Sequence, residues 1–128
     1  MRALLDTHTF LWWIENDQRL SAEARRLIGD GSTTLFFSAA SSWEMAIKAR
    51  LGKLRIPGDF AAFVTDHLVR NHVIPLPIHL SHTFQVYRLP ALHRDPFDRL
   101  LVAQSQWEQL PIVTADPLIR QYEVDILW

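Results

Sequence analysis

Short apolar runs alternate with helix-period segments along the whole of this chain, and that alternation narrows its possible architectures more than any other feature. Residues 2–5, 34–37, 73–76, 112–114 and 124–127 read as strands. Between the first two, one helix runs through about Glu15, and a second covers residues 21–28 with Ser21 as its N-cap and Gly29 ending it. A third covers residues 38–51, stopped by Gly52. Asp59 caps a fourth, whose apolar stripe is Phe60, Phe63, Val64 and Leu68. A short helix follows over residues 80–88 and closes at Leu89-Pro90. Asp95-Pro96 then opens a longer one to about Glu108, because proline suits the first helical position. Pro117 begins a last helical turn or two. Pro75 and Pro77 limit how the third strand can pair. Strands and helices in alternation predict an α/β sandwich around a mostly parallel sheet.

Four carboxylates sit where apolar runs give way to helix starts. Asp6 follows Ala3-Leu4-Leu5, Glu44 lies three residues after Ser41, Asp98 lies three after Asp95, and Asp116 follows Ile112-Val113-Thr114-Ala115. Each has an ordinary structural account. Asp6 and Asp116 have cap patterns, Ser41-x-x-Glu44 spells a capping box, and Asp98 in a first helical turn is favoured by the helix dipole. The box weakens if that helix begins at Ser38, since Glu44 then falls in the second turn with its carboxylate free. Asp95 is best explained as the N-cap of its helix. The functional account starts from geometry: a parallel sheet gathers the carboxyl ends of its strands on one edge, where ligands bind. Carboxylates crowded there carry a cost unless a cation compensates them. Hard divalent ions such as Mg²⁺ prefer such oxygens, and one or two of them would suit phosphodiester hydrolysis.

Composition removes several other classes. The chain has 128 residues with 48% hydrophobic content, which suits one domain with an ordinary core. It contains no cysteine, which excludes disulfides and thiolate metal sites. With 13 basic and 14 acidic residues the net charge is −1, so bulk positive field does not hold nucleic acid and local basic residues must supply any contacts. The apolar stretches are too short for a membrane span. Met1 leads almost directly into the first strand, which leaves no place for a signal peptide and makes a cytoplasmic protein the expectation.

The segments Leu4-Leu5-Asp6-Thr7-His8, Ser38-Ala39-Ala40-Ser41-Ser42-Trp43-Glu44 and Lys48-Ala49-Arg50-Leu51-Gly52-Lys53-Leu54 carry a more specific signal. So do His93-Arg94-Asp95-Pro96-Phe97-Asp98-Arg99-Leu100-Leu101 and Pro111-Ile112-Val113-Thr114-Ala115-Asp116. Together, in this order and spacing, they resemble the PIN-domain ribonucleases, and within them the VapC-type toxins of type II toxin–antitoxin pairs. The resemblance implies a three-layer α/β/α sandwich, with residues 1–128 forming a single PIN-like nuclease domain. It implies that Asp6, Glu44, Asp98 and Asp116 are the acidic quartet that binds Mg²⁺ or Mn²⁺, and that Thr114 is the small polar residue orienting water or a carboxylate beside the last acid. Asp95 is then a nearby cap or supporting acid. An RNA substrate, a homodimer and a cognate antitoxin that occludes the site are likewise implied by the resemblance alone.

Other residues have weaker claims. His93-Arg94-Asp95 looks like the start of a kinase catalytic loop, but the chain is too short for a kinase and has no glycine-rich phosphate loop. His79 and His82, spaced i, i+3, lack a convincing third metal ligand and read as surface or partly buried histidines. Lys48, Arg50, Lys53 and Arg55 form a basic segment at a helix end, where cations suit the dipole and contact with phosphate is a second role. Arg94 and Arg99 flank Asp98 and are better placed to meet phosphate, with ion pairing to the acids in competition. Trp12, Trp13 and Trp43 are core or interface candidates; adjacent Trp12 and Trp13 cannot share a helix face, so one is free for a dimer, an antitoxin or a base. Two rival functions remain. A phosphomonoesterase or aspartyl-phosphate protein would need an Asp two residues after Asp6 and a lysine near a later strand, and the lysines are Lys48 and Lys53, mid-chain. A non-catalytic interaction module would use the acids only as caps.

Overall fold

The computed structural model describes residues 1–128. Five strands, β1 (Arg2–Leu5), β2 (Thr34–Ser38), β3 (Val73–Leu76), β4 (Ile112–Val113) and β5 (Ile126–Leu127), form one sheet in the order β3-β2-β1-β4-β5. Every pairing is parallel. The mostly parallel sheet expected from the alternation is thus entirely parallel. β1, in the centre, is buried along Ala3, Leu4 and Leu5, as an apolar run covered on both faces must be. Pro75 lies in β3 at the sheet edge, where the missing N–H costs no ladder bond.

The period-2 alternation of β1 divides the core. Ala3 and Leu5 join Phe10, Ala24, Met45 and Val64 on one face, beneath α1 (Thr7–Glu15), α2 (Ala22–Gly29), α3 (Ala39–Arg50) and α4 (Phe60–Arg70). Leu4 joins Leu101, Val102, Ala103 and Ile119 on the other, beneath α5 (Leu80–Arg88) and α6 (Pro96–Glu108). The result is a three-layer α/β/α sandwich. Its connections run outward from β1 to β3 and then return across β1 to β4, so the strand order reverses between β1 and β4. That switch point opens a crevice at the carboxyl ends of the strands.

Local chemistry fixes the helix starts at this edge. Asp6 accepts from the Thr7 N–H and caps α1, while Asp95 accepts from the Phe97 and Asp98 N–H groups and caps α6. Ser38 caps α3 through the Ala40 N–H, and its hydroxyl donates to Gln104 of α6. The capping box read at Ser41-x-x-Glu44 is therefore not formed, and Glu44 lies in the second turn. Gly52, at φ +75°, lies in the left-handed region just past the end of α3. Past Pro117 the helical turn is a short 3₁₀ turn, Ile119–Gln121, and the final strand is shorter than residues 124–127 suggested. No helix is long and apolar enough to cross a membrane.

Candidate active site

The crevice at the switch point collects the acids. Asp6 leaves the end of β1, and its backbone N–H donates to the Val113 carbonyl of β4 at 3.2 Å. The same carbonyl accepts the Thr9 hydroxyl at 2.7 Å, which ties the start of α1 to the neighbouring strand. Asp6 is 4% exposed, with Oδ1 accepting from the Thr7 N–H at 2.7 Å and Oδ2 from the Thr114 hydroxyl at 2.8 Å. Thr114 Oγ1 in turn accepts the Asp116 N–H at 3.0 Å. Asp116 Oδ1 accepts from the Leu118 N–H at 2.8 Å and so caps the turn that follows.

Glu44, also 4% exposed, faces the crevice from α3. Its Oε1 lies 2.9 Å from Thr7 Oγ1, which is itself 2.7 Å from Ser41 Oγ, and its Oε2 accepts from Lys48 Nζ at 2.9 Å. The i, i+4 spacing makes Lys48 a resident counter-charge for Glu44. Burial disfavours the Lys48 ammonium, but the Glu44 hydrogen bond together with the charges of Glu44, Asp95 and Asp98 outweighs it and raises its pKa.

Asp98, in the first turn of α6, has no such cation. Its Oδ2 lies 2.8 Å from His93 Nε2. Burial, then the charges of Asp6, Asp95, Glu44 and Asp116, push its carboxyl up to about 8. Burial also raises Asp6, against the opposing pull of its Thr114 and Thr7 hydrogen bonds and of His8. Ionised together, the acids would carry more negative charge than the protein itself neutralises, so without a cation the site favours protons on them, and their donors are hard oxygens. Both properties fit a divalent cation. Ligand atoms of His93, Asp98 and Asp116 all lie within 4.8 Å of one another, an ion-sized grouping. Asp6 and Glu44 lie outside that tightest group, held by Thr114 and Lys48 respectively.

The basic candidates separate. Arg94 and Arg50 are exposed at the rim and end of these elements. Arg99 is committed elsewhere: its guanidinium donates to the Val86 and Pro90 carbonyls and the Tyr122 hydroxyl, pinning the α5–α6 connection. Its guanidinium is thus taken up by the protein's own acceptors, where its place beside Asp98 in sequence had suggested phosphate. Neither Trp12 nor Trp13 is free. Trp12 packs edge-on to Trp128 beneath the Arg19 guanidinium, and Trp13 donates to Asn71 Oδ1. Trp43 is the more open of the three, 58% exposed and packed edge-on to Phe97. His82 is fully buried and bonded to Glu108, while His79 stays at the surface, so the two form no metal pair. His93 is the residue that sequence reasoning passed over; its signal was the His-x₄-Asp spacing within the Asp98 segment.

Comparison with known proteins agrees with this fold. The family described as PIN domain matches residues 3–125. Ribonuclease VapC16 of Mycobacterium tuberculosis (strain ATCC 25618 / H37Rv) is 41% identical over 69 residues, covering 51% of this chain and 49% of that protein. The matched part of the chain thus spans about half the length of that relative. The crystal structure of VapBC2 from Rickettsia felis, bound to a DNA fragment from their promoter, superposes with a TM-score of 0.74. It covers 98% of this chain and 97% of its own at 14% identity, a likeness of fold. PIN nucleases use divalent metal ions, and the acidic cluster is of a kind that can bind one.

Proposed function

The chain belongs to the PIN-domain family, and from that membership we propose that it is a Mg²⁺-dependent endoribonuclease, the toxin of a type II toxin–antitoxin pair. Asp6, Glu44, Asp98 and Asp116 hold the metal, Mg²⁺ or Mn²⁺ in its place. When bound, such an ion supplies Lewis-acid activation of water and neutralises charge at the phosphate. Thr114 fixes one oxygen of Asp6, and Thr7 sits against Glu44. Asp95 acts through its cap, which sets the first turn of α6 and so the place of Asp98. Lys48, Arg94 and Arg50 supply local positive charge for an RNA backbone that a chain of net charge −1 does not attract as a whole.

The observation that carries this reading is the crowding of acids at one edge of the sheet, where Asp98 and Asp116 bring ligand atoms within 4.8 Å of each other and of His93, and Asp6 and Glu44 lie buried beside them. A cap needs no such company. Exposed apolar side chains support the protein partners, a second copy of the chain and an antitoxin: Trp43, Ile47 and Leu51 on one stripe of α3 and the residue after it, Leu80, Phe84 and Tyr87 on α5. The toxin acts in the cytoplasm, as one nuclease domain over residues 1–128. The test is cleavage of single-stranded RNA by the purified protein with Mg²⁺ or Mn²⁺, with chelator and Asp6→Asn as controls. Metal-dependent cleavage that Asp6→Asn removes is the expected result; full activity in that variant would sink the assignment.

A further inference from the structure

We infer that His93 is a positioning residue of this site, a hydrogen-bond donor that fixes one oxygen of Asp98, and not a ligand of the ion; this rests on the metal-nuclease reading above. Distance alone argues the other way. His93, Asp98 and Asp116 form the ion-sized grouping, and imidazole beside two carboxylates is a familiar donor set.

The hydrogen bonds on the two ring nitrogens decide the matter. His93 Nδ1 lies 3.3 Å from the backbone nitrogen of Asp95, whose N–H donates to it. A ring nitrogen that accepts an N–H carries no proton, so the ring proton is on Nε2. Nε2 lies 2.8 Å from Asp98 Oδ2 and directs that proton at the carboxylate. A protonated nitrogen has no lone pair for a metal. For His93 to become a ligand, the proton would have to move to Nδ1, where it would face the Asp95 N–H donor to donor. Asp95 also caps α6 through the Phe97 N–H. One residue therefore sets both the helix start that carries Asp98 and the tautomer that orients it.

No other protein donor reaches the Asp98 carboxylate. Without His93 it rotates freely in a crevice that repels it. An imidazole or amide that orients a ligating carboxylate typically contributes about 10–100-fold in metal affinity.

The test is Mn²⁺ binding to the full chain, followed by calorimetry and pulsed electron paramagnetic resonance, with RNA cleavage assayed alongside. The wild-type Mn²⁺ complex is expected to show no directly coordinated ¹⁴N. His93→Ala is expected to weaken Mn²⁺ binding about 10–100-fold, and His93→Gln, whose amide can donate, to recover most of the loss. Directly coordinated ¹⁴N in the wild type that His93→Ala removes would overturn the inference, and this reading needs no variant to compare affinities. Unchanged Mn²⁺ affinity in a folded His93→Ala protein would overturn it as well, while leaving the nuclease reading intact. A wild-type protein that neither binds Mn²⁺ nor cleaves RNA would take both down.

Discussion

Thr114 holds Asp6 across the switch point of the sheet: the hydroxyl just past β4 donates at 2.8 Å to the carboxylate just past β1. The same oxygen accepts the Asp116 N–H. One hydroxyl therefore registers two of the four acids against each other, and it can do so because adjacent parallel strands end on the same edge.

Thr114→Val removes the hydroxyl while keeping the β-branched shape. Asp6 loses one of its two protein donors at a site 4% exposed, and the Asp116 N–H loses its acceptor. Leaving buried groups unpaired costs about 1–3 kcal/mol. Chemical denaturation of the metal-free protein is expected to show a loss in that range, together with slower RNA cleavage. Wild-type stability and rate in this variant would show the contact to be idle.

Asp98→Asn separates catalysis from folding. Cleavage is expected to fall by about 10²-fold or more, the scale seen when one electrostatic group leaves a preorganised site. The metal-free protein, relieved of a buried charge, is expected to melt no lower than wild type at pH 8. A variant that loses activity because it unfolds would contradict this pairing, and melting curves beside the cleavage assay distinguish the two.

Acidity gives a third expectation. Asp98 titrates at about 8 in the folded chain against an ordinary value of 3.8, so between those values the folded state holds a proton that the unfolded state has released. Stability from this group therefore falls as pH rises from about 4 to about 8 and levels off beyond. Melts in chelator at pH 5, 7 and 9 should show that decline, and Asp98→Asn should flatten it. Mn²⁺, which binds the ionised carboxylates, should stabilise most at the alkaline end.

The two kinds of basic residue respond differently. Arg94→Ala is expected to weaken RNA binding uniformly across sequences and to reduce the slope of log affinity against log salt by about 0.7, the value for one phosphate contact on a single strand. Arg99→Ala is expected to leave that slope unchanged and to destabilise the fold by about 1–3 kcal/mol, because the Val86 and Pro90 carbonyls and the Tyr122 hydroxyl lose their donor. The reverse pattern would return Arg99 to the substrate face.

These contrasts mark what local sequence can and cannot carry. Periodicity located every strand and helix, because β1 is apolar from Ala3 to Leu5 and the amphipathic segments have capping residues where they begin. Asp6 and Asp95 were legible as caps for the same local reason. Longer-range competition decided the rest. Ser41-x-x-Glu44 has the letters of a capping box, yet Ser38 captures the helix start because its hydroxyl also reaches Gln104 on another layer. Arg99 neighbours Asp98 in the chain but points across the helix to carbonyls that need a donor. Trp13 finds a partner in Asn71, far along the sequence. His93 escaped because its contact depends on how an irregular loop folds back onto α6, and loops have no period to read.

β4 and β5 are two residues long, and each pairs through two positions of register. Thr114 and Asp116 hang from this narrow side of the sheet, whereas Asp6 and Glu44 are anchored in its better-paired half. Fraying should therefore begin at β5, tied to β4 by the Ile112 N–H to Asp125 and the Thr114 N–H to Leu127 and packed through Trp128 against Trp12. Amide exchange there is expected to outrun exchange in β1, with sub-global opening dismantling one half of the acid cluster while the other half stays in place. The site would then assemble and come apart more easily than the protein folds and unfolds.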